Sequence, residues 1–497
     1  MPSPEKRGTN VGWALAACFV PLVAVLYHLY AEAAAENEEL RRRLEKAKAQ
    51  DDSSSPRAEN AMKLASSLES YWPVQAVAVL EEELLRGASS CAPTFDPSCI
   101  LQHGHYRPRT KIELLDALGD AHGAATHYEK AALFHERALQ QKHEAGFPPS
   151  EIVTSYSAVA TDATNLFHFE EALSWIRQGQ GLALPKAALA ILYQQESGIL
   201  ECQDDFISAL HVFEHSLKLQ EKSVADALRH LDLLKQVLHE EMPPSVASAM
   251  RGRVAEIEEE LIRLGYGKKG QFPKRYVPGL GVGRPWRSFP TETVSASWML
   301  PAFQALRAAV PELLLEYLEL KEAGQMYREK ECIHSHRGGR WSRFEVNAFW
   351  HASDSGGIRC AVESPRACAL FQELQALGMP LIRAGYSALA PGAWLKPHYG
   401  TTNAQLKWHL GLSIPSSPTE GCATLRVADV IHQWMKEGEL LYFDDSFEHE
   451  VFNHCDMERV VFQLVFAHPQ LGGSDDENLR CATGDLQACR PGLSTEL

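Results

Sequence analysis

Apolar residues recur at intervals of three and four from about residue 61 to 265, as in YWPVQAVAVLEEELL from Tyr71 and VAEIEEELIRL from Val254, and that period predicts helix after helix. Three stretches share a finer pattern. Ala131, Ala172 and Ala209 are each followed four positions later by a larger residue (His135, Ile176, Phe213) and seven positions later by a small one. Small residues at that spacing seat one helix closely against its hairpin partner, as in tetratricopeptide (TPR)-like repeats. The anchor alanines are 41 and 37 residues apart, not a steady period of about 34. A degenerate repeat array and a plain helical bundle both fit, either one a scaffold or a peptide-holding surface. The segment GYGKKGQFPKRYVPGLGVGRPWRSFP, from Gly265 to Pro290, ends the helical period. After one more helical piece from Pro301, the pattern changes to short alternating runs such as FEVNAFWH, AGYSALAPG, LKWHLGLSI, ELLYFDD and ERVVFQLVFA. These predict strands of a sandwich or jelly roll.

Composition adds limits. A chain of 497 residues, 45% hydrophobic and 23% charged, is too long for one core. Its formal charge of −16 and lack of a long Lys/Arg tract argue against a nucleic-acid partner. The cluster RRRLEKAK from Arg41 sits among Glu38, Glu39 and Glu45 and reads as a solvated helical face. Val11 to Ala31 contains no Asp, Glu, Lys or Arg and is long enough to cross a bilayer. It reads as a retained anchor or a cleaved signal peptide, with length favouring the anchor. The expected order is a tail over 1–10, a transmembrane helix over 11–31, and a stalk and linker over 32–60. A helical TPR-like region over 61–265 and a linker over 266–285 follow, then a domain over 286–497 with its β core at about 340–470. Among eleven cysteines, Cys91 with Cys99, Cys360 with Cys368, and Cys481 with Cys489 lie close in sequence. They are candidate disulfides of an oxidising lumen, and none has the CxxC spacing of structural zinc.

The chemistry gathers on the predicted strands: His398 in PHYG, Lys407 and His409 in LKWHLGL, His449 in FDDSFEHEV, and Arg459 in ERVVFQLVF. Paired histidines suit a borderline metal such as iron(II), and an arginine ten residues past the second can hold a carboxylate in a two-pronged fork. Gly400 stands where an iron oxygenase usually carries its metal carboxylate. Asp444 and Asp445 read as turn residues able to orient His449 by hydrogen bonding.

Together PGAWLKPHYGTTNAQLKWHLGLSIP and GELLYFDDSFEHEVFN resemble the aspartyl/asparaginyl β-hydroxylase family, with VPGLGVGRPW and RWSRFEVNAFW extending the match over about 275–470. The resemblance implies a double-stranded β-helix (jelly-roll) oxygenase using iron(II), 2-oxoglutarate and O2. Carried over by position, His398 and His449 become the iron ligands, and Gly400 leaves a coordination position open. Ser387 and Arg459 hold the far carboxylate of 2-oxoglutarate, with His409 at its other end and Leu389 against its chain. Cys360 and Cys368 match a disulfide-bearing loop near the substrate groove. Gln405 and Lys407 stand where family members of animals carry two arginines that contact substrate and cosubstrate, a change from planar forks to an uncharged amide and a point charge. An apolar anchor, a lumenal helical region and a carboxy-terminal oxygenase also resemble the membrane-anchored animal members, which act on EGF-like domains in the endoplasmic reticulum. The expected activity is therefore hydroxylation of the β-carbon of Asp or Asn in a protein substrate, by a single-pass protein of the endoplasmic reticulum or secretory-pathway membrane. The alternatives are a non-catalytic membrane-anchored scaffold and an iron halogenase, which also lacks the metal carboxylate.

Overall fold

The computed structural model describes residues 61–63, 65–66, 76–81, 106–125, 127–280, 285–286, 298–328, 340–346, 356–415, 422–434, 436–483 and 485–489. The apolar segment Val11 to Ala31 and the Cys91/Cys99 pair lie outside them. Among the described residues, no helix is long and apolar enough to cross a membrane.

Among the described residues, the array contains the helices α1 (Pro108–Ala124), α2 (Tyr128–Glu144), α3 (Pro149–Asn165), α4 (Phe169–Gln180), α5 (Lys186–Cys202), α6 (Phe206–Ser216), α7 (Val224–Val237) and α8 (Pro244–Arg263). Each packs on the next along the chain. The three anchor alanines are fully buried on α2, α4 and α6, the second helices of successive hairpins. Ala138, Gly179 and Ser216, seven residues on, are buried as well. The reason for small residues is visible at Gly179, where a Cβ would come within 3.2 Å of both Leu192 and Tyr156.

The array is joined to the β domain by a strap rather than a loose linker. Gln271 bridges to Phe447, Arg275 to Thr402, and the Asn403 side chain bonds both backbone groups of Val277. The strap's Phe272 and the barrel's Tyr399 lie in the same apolar cluster as the array's own core.

Ten strands follow the helix α9 (Met299–Glu322), with α10 (Gly356–Glu363) and α11 (Pro365–Ala376) inserted between them. They are β1 (Tyr327–Arg328), β2 (Trp341–Val346), β3 (Leu381–Leu389), β4 (Trp394–His398), β5 (Gln405–Ser413), β6 (Ala423–Val427), β7 (Val430–Trp434), β8 (Leu440–Phe443), β9 (His449–Asn453) and β10 (Arg459–Ala467). The first sheet runs β1-β2-β3-β10-β5-β8 and the second β4-β9-β6-β7, every pairing antiparallel. Leu389, Leu425, Trp434, Phe443 and Val461 share the core between the sheets. The other face of the larger sheet packs on α9 and α11 through Tyr386, Trp408 and Phe462. A sheet covered on both faces needs apolar residues at nearly every position, which is why β10 is buried along almost its whole length. The helix α12 (Asp475–Thr483) and a 3-10 turn at Leu486–Ala488 close the described chain.

Candidate metal and carboxylate site

Residues directly opposite in an antiparallel ladder point to the same face. In the smaller sheet His398 of β4 is opposite His449 of β9, with ring centroids 4.2 Å apart. Each ring is oriented through Nδ1: His398 to the carbonyl of Lys396 (2.6 Å), His449 to that of Phe447 (2.9 Å). A carbonyl only accepts, so Nδ1 is the donor in both, and the tautomer directs each Nε2 lone pair outward, as a metal ligand requires. Burial, aided by His398 and Lys407, holds His449 well below the usual histidine range. A neutral imidazole is the ligating form.

The facing sheet supplies a second cluster. On its inner face Arg459 of β10 is opposite Leu389 of β3, and Val461 is opposite Ser387 two residues away. His409 of β5 joins from the other side of β10. Ser387 is fully buried and accepts from Trp341 Nε1 at 3.0 Å. Arg459 is 1% exposed, its guanidinium 5.0 Å from the Trp434 ring centre, and its Nε and Nη1 have no hydrogen-bond partner. Burial pushes it down to about 9. His409 lies edge-on to Phe443, with neither ring nitrogen partnered. Burial, then Lys407 and Arg459, keep it neutral. A guanidinium with open donors beside a buried hydroxyl and a neutral imidazole suits a carboxylate-bearing small molecule.

The other predicted residues divide. Lys407 pairs with Asp445 at 2.7 Å. Asp444 is a turn residue: its Oδ1 accepts from the backbone and hydroxyl of Ser446 and its Oδ2 from Gln271. Gly400 sits tightly against Asp445. A Cβ there would meet the Asp445 carboxylate at 2.4 Å and its carbonyl at 2.8 Å, so Asp445 fills the volume that a side chain at 400 would need. Gln405 is drawn away to the C-terminal segment, its amide donating to the Ala482 carbonyl at 2.6 Å. Cys360–Cys368 and Cys481–Cys489 are disulfides, and so is Cys422–Cys455, which no local sequence spacing marks. Among the described residues, no group of three or more His, Cys, Asp or Glu side chains forms a metal cage.

Two facing sheets thus form a β domain with a histidine pair on one sheet and a buried arginine on the other. Residues 307–469, about a third of the chain, match the family described as Aspartyl/Asparaginyl beta-hydroxylase. The chain is 32% identical over 182 residues to the mouse aspartyl/asparaginyl beta-hydroxylase, covering 35% of this chain and 23% of the mouse protein. It is 32% identical over 167 residues to the ornithine lipid ester-linked acyl 2-hydroxylase of Rhizobium tropici, covering 34% of this chain and 55% of that protein. The chain thus matches less than two thirds of either relative's length. A Podosopora anserina putative kinesin light chain with TPR-like repeats aligns at a TM-score of 0.33 and 13% identity, over 43% of this chain and 97% of that structure.

Proposed function

We propose that the C-terminal domain is an iron(II)- and 2-oxoglutarate-dependent dioxygenase that hydroxylates the β-carbon of Asp or Asn in protein substrates such as EGF-like domains. The observation that carries this is Arg459: a buried guanidinium with open donors, on the sheet facing a histidine pair whose tautomers suit metal binding. An uncompensated buried charge costs several kcal/mol, so its retention implies an anion that the chain itself does not supply. His398 and His449 would hold the iron. Arg459 and Ser387 would bind the far carboxylate of 2-oxoglutarate, with Leu389 against its chain and neutral His409 near its other end. Iron with the cosubstrate supplies the oxidising chemistry for inserting one atom of O2 into an unactivated C–H bond. The protein's share is to hold both in a dry pocket, and burial of Ser387, Leu389, His409, His449 and Arg459 serves that end. Lys407, paired with Asp445 beside Gly400, is the contact proposed for substrate or cosubstrate.

The disulfides among the described residues support an oxidising compartment, and with the apolar segment Val11 to Ala31 they favour a single-pass secretory-pathway protein with a lumenal domain. The test incubates purified chain with iron(II), 2-oxoglutarate and a panel of EGF-like domain peptides, reading succinate release and a peptide mass gain of one oxygen. Both are expected, and both vanish in His449→Ala. Iron-dependent succinate release retained by that variant would overturn the assignment.

A further inference from the structure

The ladder that brings His398 opposite His449 is irregular at that point, its register shifting between Leu395 and His398. Backbone pairing alone therefore leaves the separation of the two rings loosely determined. The residues that orient and flank them are held from outside the barrel. Lys396, whose carbonyl takes the His398 proton, is 1% exposed; its ammonium pairs with Asp204 in the turn after α5 and lies 4.3 Å from the Phe206 ring centre. The next carbonyl, Pro397, accepts from the Gln236 side chain on α7. On the other ligand, Phe447 supplies the orienting carbonyl and is bridged by Gln271 of the strap.

One side chain reaches both. Lys235 of α7 donates to the hydroxyl of Tyr399, the residue after His398, and pairs at 3.0 Å with Glu448, the residue before His449. A third contact, at 2.8 Å, ties it to Glu258 of α8. An ammonium has three donors, and these three acceptors take them all. We infer that Lys235 is a positioning residue for the metal pair: bonded to Tyr399 and Glu448, it fixes the separation of His398 and His449, and the helical array is thereby part of the metal site. This rests on the metal reading of the two histidines given above.

The test measures binding of Mn(II), a probe that needs no turnover, to the full chain by electron paramagnetic resonance of the free ion. Partners that orient metal ligands typically change affinity by about ten- to a hundredfold when removed. Lys235→Met, which keeps the stem and loses the charge, is expected to weaken Mn(II) binding about tenfold, alongside a lower melting temperature as Glu448 and Glu258 lose their cation. Lys235→Arg recovers most of the affinity. Wild-type affinity in Lys235→Met, with binding abolished in His398→Ala, would overturn the inference and leave the proposed function standing. Wild-type affinity in His398→Ala would overturn the metal site itself. Should Lys235→Met not fold, Gln236→Leu and Asp204→Asn carry the same test, and unchanged Mn(II) affinity in both would equally overturn it.

Discussion

In the helical array the buried ring of His135 lies between two carboxylates, Asp162 at 2.6 Å and Asp120 at 3.3 Å, and buried Lys142 has Asp116 at 2.6 Å and the Ser155 hydroxyl at 2.7 Å. In the barrel Nε and Nη1 of Arg459 and both ring nitrogens of His409, equally buried, have no hydrogen-bond partner among the described residues. Both regions bury ionisable groups, but the charges of His135 and Lys142 meet carboxylates of the chain, whereas among the described residues that of Arg459 meets none. The first arrangement holds helices together. The second is suited to a ligand, because leaving a buried donor unpaired is costly unless something else takes it.

The contrast predicts opposite responses to removing a charge. Arg459→Met should weaken 2-oxoglutarate binding about a hundredfold or more, ~3 kcal/mol, while the unfolding midpoint of the ligand-free chain holds or rises. Calorimetric titration and a urea melt on the same variant measure both. His135→Leu should do the reverse, costing about 3 kcal/mol of stability by leaving Asp162 buried and alone, with no change in cosubstrate affinity. That stabilisation depends on pH. Burial alone would push His135 down, but its bonds to Asp120 and Asp162 outweigh this and raise it to about 9 from 6.5. A group raised in the folded state stabilises fully below its unfolded value and loses that contribution as pH climbs through the folded one. The melting temperature of the wild type should therefore fall between pH 6.5 and 9 by more than that of His135→Leu.

Smaller effects sharpen the barrel side. Gly400→Ala should cost about 1–3 kcal/mol in a melt, since its methyl would press on Asp445 and disturb the pair with Lys407. Trp341→Phe removes one hydrogen bond to Ser387, worth about 1 kcal/mol, and should lower cosubstrate affinity several-fold.

The helical period between 61 and 265 and the alternation beyond 340 made the two kinds of architecture legible, because each follows from neighbours along the chain. The histidine pair and Arg459 stood out in local motifs, Ser387 only through the family resemblance, and their strands place them on the two facing sheets. Other features depend on contacts distant in sequence. Gln405 reads as a site residue by position, yet Ala482 claims its amide from 77 residues away. Lys235 and Gln236 look like ordinary helix-face residues until Tyr399 and Pro397 are brought against them. Cys422 and Cys455 are 33 residues apart, each with no cysteine beside it in sequence. The strands were expected to alternate, but the helical layer behind the larger sheet buries the second face too.

Asp204 shows what this dependence asks of a single turn. It has a φ of 63°, a backbone region that glycine enters freely and other residues enter at a cost of order 1 kcal/mol. Asp204→Gly would relieve that strain, but leaving the buried Lys396 ammonium unpaired costs about 3 kcal/mol, more than the turn returns. The carboxylate it would discard is the one that Lys396 grips, two residues before His398. Asp204→Gly should thus lower both the melting temperature and metal retention, so the strained turn is kept for the carboxylate it presents.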